Sequence, residues 1–124
     1  MPVPRISKEE LKERLELADA SVPVVLDVRL KYPYEHSTIR LPGALRMAAD
    51  SVDAGRLPRG REIVAYDSDP DEITSSHVAA DLIRRGYRAS ALKGGIAEWV
   101  AASFPVETKE SARPTPPAPG ALKA

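Results

Sequence analysis

Apolar positions along this chain follow two rhythms that alternate. Leu11, Leu15 and Ala18, with Leu17 beside them, recur at the spacing of one helix face. Ser7 and Glu10 stand at capping-box spacing ahead of them, so an amphipathic helix is expected over residues 8–18. Val24-Val25-Leu26-Asp27-Val28-Arg29 is instead a short continuous run, as in a strand covered on both faces. Ile63-Val64-Ala65-Tyr66 and Ala89-Ser90-Ala91-Leu92 repeat that pattern, and residues 45–48 suggest a further short strand. Residues 31–36 read as a helical turn broken by Pro33. Residues 39–44 read as a turn with Pro42 and Gly43 in type II positions, and residues 50–61 as a loop or short helix interrupted by Gly55, Pro58 and Gly60. A second long helix is expected over 70–85. Its core stripe would be Ile73, Ala80 and Ile83, with Ala79 and Leu82 beside it, a His77–Asp81 surface pair, and Gly86 as a left-handed cap. Gly94-Gly95 turns into a last helix carrying Ile96, Trp99 and Val100, and Trp99 and Phe104 suit a core better than a stacking platform. Helix and strand alternating through short connections predict an α/β domain with a mainly parallel sheet.

The 124 residues suffice for one domain with a modest core. Residues 5–107 form that expected domain. Residues 108–124, rich in proline and poor in apolar side chains, read as a disordered tail. Lys+Arg and Asp+Glu both total 18, and this zero balance argues against a nucleic-acid platform or a polybasic membrane surface. No apolar run approaches the roughly 18 residues of a membrane span. Met1 to Arg5 has no apolar segment behind it, so the expected location is cytoplasmic. No cofactor and no metal site is expected. Cysteine is absent, which denies this chain any thiol chemistry of its own.

The chemistry-bearing stretch is Asp67-Ser68-Asp69-Pro70-Asp71-Glu72-Ile73, which leaves the run 63–66 and enters the second helix. Asp69 suits a cap, Pro70 a first helical position, and Glu72 the carboxylate of a capping box. A strand that feeds a helix through a tight loop turns several N–H groups into one concavity, and the helix dipole adds positive potential there. Asp67 is itself an anion at that place, and it either works there or merely satisfies the backbone donors. Asp27 and Arg29 end a buried strand, where polar residues either line a ligand crevice or tie down neighbouring loops. His36 has no partner at a useful spacing, so it reads as exposed or structural.

These pieces together resemble the rhodanese family. The resemblance covers residues 5–107 and rests on four motifs in order. They are Leu26-Asp27-Val28-Arg29; Pro42-Gly43-Ala44 after Tyr34-Glu35; Leu92-Lys93-Gly94-Gly95-Ile96-Ala97-Glu98-Trp99; and Phe104-Pro105-Val106-Glu107. It implies an open five-stranded, mainly parallel sheet flanked by helices, with an active-site loop after residues 63–66 and a rim of Asp27, Arg29 and Arg40. In that family the first loop residue is a cysteine that carries sulfur as a persulfide, held by the loop amides. Asp67 stands at that position here, and Arg40 stands where the family usually has histidine.

A carboxylate has neither the nucleophilicity nor the stable sulfur adduct that this chemistry requires. The loop also carries acids at Asp67, Asp69, Asp71 and Glu72, each opposing an anionic donor by about 1 kcal/mol at surface-like separations. The expected function is therefore a catalytically inactive rhodanese-like domain with a binding, regulatory or structural role, its loop offered to an unidentified protein partner. The alternative is the family's sulfur transfer. A more remote one is aspartate-based phosphotransfer at Asp67-Ser68-Asp69, with Lys93 and Asp27 as its only further groups.

Overall fold

Five short strands lie parallel in one sheet, in a computed structural model that describes residues 3–17, 22–58, 60–68 and 72–108. In chain order the elements are β1 (Arg5–Ile6), α1 (Lys8–Leu15), β2 (Val24–Asp27), α2 (Lys31–Glu35), β3 (Ile39–Arg40), β4 (Leu45–Arg46), β5 (Ile63–Tyr66), α3 (Ile73–Arg84), β6 (Ala89–Leu92), α4 (Gly95–Ala101) and β7 (Glu107–Thr108). The sheet order is β1-β6-β5-β2-β4, which puts β5 in the middle, and every pairing is parallel. This is the α/β architecture the apolar runs predict.

Successive strand residues point to opposite faces, so each central strand feeds two cores. Ile63 and Ala65 join Leu26, Val28, Val78, Ala79 and Leu82 beneath α3. Val64 and Tyr66 join Val25, Leu11, Ile96 and Trp99 on the α1 and α4 side. Trp99 is fully buried, meets Phe104 edge to face at 5.2 Å, and donates its indole N–H to the Pro105 carbonyl at 2.7 Å. Ser7 Oγ accepts the Glu10 amide at 3.0 Å, as the capping box requires.

Several expectations are corrected. α1 stops at Leu15, and Ala18 lies outside the described residues. The second strand stops at Asp27 rather than Arg29, and the fourth at Arg46 rather than Ala48. Pro33 does not break α2. It sits in the first turn, where a missing N–H leaves no helical bond unmade. The loop or short helix expected over 50–61 is met by loop carrying two short 3-10 turns, Ala49–Ser51 and Ala54–Arg56, with residue 59 outside the described residues. Helix α3 begins at Ile73, and its inward face is Ser75, Val78, Ala79 and Leu82, which leaves Ile73 53% and Ile83 37% exposed. That stripe lies about one position off the expected one, because a sheet-facing helix is rotated by what it covers and not by propensity. His77 does not pair with Asp81; Arg84 and Arg85 take that carboxylate at 3.3 and 2.9 Å. Gly43 and Gly86 do adopt positive φ, at the turn and at the helix end.

Three two-residue strands were not anticipated from residue patterns: β1, β3, which takes the start of the expected 39–44 turn, and β7. β7 returns to pair antiparallel with β3, matching Arg40 with Glu107. The expected tail began at Thr108, which instead belongs to β7; residues 109–124 lie outside the described residues.

Candidate functional site

Asp67 leaves the carboxyl end of the central strand and is 2% exposed. Two helices converge on it. Its side-chain Oδ2 accepts the Ser75 amide, third residue of α3, at 2.7 Å. Its carbonyl accepts the Ile96 amide, in the first turn of α4, at 2.9 Å. Gly95 packs so closely on it that a β-carbon there would stand 2.4 Å from the Asp67 carbonyl oxygen. The carboxylate thus caps α3 from eight residues upstream and lies where the helix N-terminus favours negative charge.

Glu72 does something the capping-box reading did not anticipate. It is the residue before α3, its backbone is left-handed at φ 61°, and its carboxylate makes no bond to the helix start. Arg5 grips that carboxylate at both ends, Nε to Oε1 at 2.6 Å and Nη2 to Oε2 at 2.7 Å, and the Gly94 amide donates to Oε2 at 3.0 Å. A left-handed conformation costs a non-glycine residue on the order of 1–3 kcal/mol and persists only where surroundings hold it. Here Arg5 and Gly94 hold it. The Glu72 charge is consequently neutralised at the sheet edge and does not oppose an anion in the loop, contrary to the expectation that all four loop acids act together. Asp69, Pro70 and Asp71 lie outside the described residues.

The hydrogen bonds from Arg5 hold the Glu72 carboxyl below the ordinary value of 4.5, against a burial effect of opposite sign. A lowered folded-state pKa contributes stability that is present above about pH 4.5 and is lost as pH falls through the lowered value. Glu72→Gln should therefore be less stable than the parent at about pH 6, and the gap should narrow on titration to about pH 3, read as urea midpoints. A gap independent of pH would show that the clamp acts through shape alone.

Asp27 and Arg29 are each about 1% exposed and bind one another. Arg29 Nε reaches Oδ1 at 3.0 Å, Nη2 reaches Oδ2 at 2.8 Å, and the Arg29 amide donates to Oδ1 at 3.1 Å. Burial works against the Arg29 charge, yet its bonds to Asp27 leave the guanidinium pKa raised. Arg29 Nη2 also donates to the Ile39 carbonyl at 3.0 Å, and the cation stacks near the rings of Tyr34 and Tyr66, 5.3 and 5.6 Å from their centres. Arg46 lies 4.0 Å from the Tyr34 ring centre and donates to the Arg29 carbonyl at 2.7 Å. Burial drives the Tyr66 hydroxyl pKa upward, so this phenol stays protonated while it accepts the Leu41 amide at 3.3 Å.

Of the two readings of Asp27 and Arg29, the geometry fits the tie between loops. Arg40 is engaged elsewhere, on the Ala44 carbonyl at 2.7 Å and on Glu107 at 2.9 Å. His36 is exposed and stacks on Tyr32. Sequence reasoning missed Arg5, Ser75 and Gly95 as partners of the loop. A Gly94-Gly95 pair was a visible signal of a special backbone. Nothing local connects Arg5 with Glu72 across 67 positions. Among the described residues, no three of Asp, Glu and His gather as a metal site.

An open parallel sheet with a buried carboxylate at the N-terminus of the helix after its central strand defines the class of α/β domain to which this fold belongs. The family model for the rhodanese-like domain matches residues 7–102, and the chain belongs to that family. No curated protein matches. Among solved structures, a protein from Lactobacillus plantarum is 27% identical, with 84% of this chain and 87% of that one covered and a TM-score of 0.74. The rhodanese-like domain of an Anabaena protein is 29% identical, with 91% and 86% covered and a TM-score of 0.68. A rhodanese-related protein of Thermoplasma volcanium, 19% identical with 84% and 97% covered, has a TM-score of 0.66 and attests the fold alone.

Proposed function

We propose that this rhodanese-like domain is silent in sulfur transfer and serves as a binding, regulatory or structural module. The observation that carries the reading is the buried Asp67 carboxylate on the Ser75 amide, at the position of the family's nucleophile. A carboxylate there fills the cradle with its own oxygens and supplies no polarisable sulfur. The phosphotransfer alternative loses support from the same region, since Asp27, the second acid it needs, is bound by Arg29.

The test is thiosulfate-to-cyanide transfer by the chain beside its Asp67→Cys variant, with intact-protein mass read after thiosulfate alone. The parent should show no rate above a buffer blank. The variant should gain the mass of one sulfur atom, because the Ser75 amide stays in place to hold a persulfide and Glu72 is already neutralised. Turnover by the parent would overturn the proposal.

A further inference from the structure

A recess lies at the opposite end of the sheet from Asp67. It is a groove of about 630 Å³ between the C-terminal half of α3 and the start of β1 and β6. Glu62 borders it just before β5, and Asp67 follows β5, so about 16 Å of strand separates groove from loop at 3.3 Å per residue. Its wall is apolar: Val3, Pro4, Ala80, Ile83, Tyr87 and Ala89. The Tyr87 hydroxyl bonds the Ala54 and Leu57 carbonyls, so the ring is anchored from behind.

Charge at the rim is one-sided. Arg84 and Arg88 border the groove, and the one acid there, Glu62, is held by Arg14 at 2.5 Å from outside the lining. Arg84 meets Asp81 only at 3.3 Å with its side chain 71% exposed, and Arg88 reaches the Gly60 carbonyl at 3.2 Å. Both guanidiniums keep donors to offer. A volume in the range of small-molecule sites, apolar walls and a cationic lip are the attributes of a pocket for an amphiphile.

We propose that this groove binds a small amphiphilic anion, an acyl chain with a carboxylate head, its chain against Ile83 and Tyr87 and its head at Arg84 and Arg88. The site is independent of the Asp67 loop and of whether that loop is silent. The probe is decanoate at sub-micellar concentration, titrated into the full chain and followed by amide NMR shifts, beside Arg84→Gln/Arg88→Gln and beside decanol. Saturable shifts are expected at Ala80, Ile83, Tyr87 and Ala89, with Ser68, Ser75 and Gly95 unmoved. The double variant should weaken decanoate at least fivefold while leaving decanol unchanged, a pattern that charge recognition gives and general stickiness does not. Both exchanged side chains lie at the surface, so the variant should fold, and its unperturbed spectrum checks this. Absence of saturation, equal loss of decanol binding, or shifts centred on the Asp67 loop would each overturn the proposal. So would shifts at the groove that track protein concentration without ligand, because a second copy would then be the occupant.

Discussion

Replacing Gly95 with alanine should destabilise the domain by about 2–4 kcal/mol, a large share of a typical 5–15 kcal/mol. Two costs combine. Gly95 has φ 61°, where an L side chain loses about 1–2 kcal/mol. The added β-carbon would also stand 2.4 Å from the Asp67 carbonyl oxygen, and that atom is backbone, which no rotamer change can move aside. Relief requires α4 and the exit of β5 to part, which weakens the Ile96-to-Asp67 bond and the packing of Trp99 behind it. In a thermal melt this amounts to a fall of roughly 10–20 °C for a domain of this size. Gly43→Ala makes the control. It has the same sign of φ, at 71°, and open space around it, so it should lose only the conformational part. Equal losses at the two glycines would show that close approach to Asp67 contributes nothing.

Asp27→Leu should be comparably damaging, at about 3–5 kcal/mol, because it leaves the Arg29 guanidinium buried with its counter-charge gone. Arg29→Met should cost less. Asp27 would keep Arg46, whose Nη1 lies 3.6 Å from Oδ1. The double change Asp27→Leu/Arg29→Met should cost well under the sum of the singles, since it removes both charges together. Urea unfolding of the four proteins measures this cycle. Additive losses would sink the account of a coupled pair, and a larger loss for Arg29→Met than for Asp27→Leu would sink the role given to Arg46.

How much of this was legible beforehand depended on range. Val24 to Leu26 and Ile63 to Tyr66 announce buried strands by composition alone, and the alternation with helices gives the sheet. The Ser7 cap was readable because its partner lies three residues away. Asp67 was visible as an anion at a strand exit, but its use of the Ser75 amide depends on where α3 begins. The propensity signals of Asp69 and Pro70 set that start too early. The orientation of α3 was misjudged for a related reason. Ile73 and Ile83 are apolar yet face outward, while the small Ser75 and Ala79 lie against the sheet, where close approach matters more than hydrophobicity. The Arg5–Glu72 and Arg40–Glu107 bonds each span 67 positions, and ordinary charged residues give no local sign of such pairing.

The Arg5–Glu72 clamp has a consequence for how this protein opens. Arg5 belongs to a two-residue strand at the sheet's edge, paired on one side only, where few bonds oppose local opening. The backbone bonds that hold that strand, Ala91 to Pro4 and Lys93 to Ile6, are followed directly by the Gly94 bond to Glu72. Detaching the edge strand therefore withdraws the guanidinium that keeps Glu72 in its left-handed conformation. Edge strand and loop then form one unit of local unfolding, and the firmness of the loop that follows Asp67 depends on how well the first strand is seated.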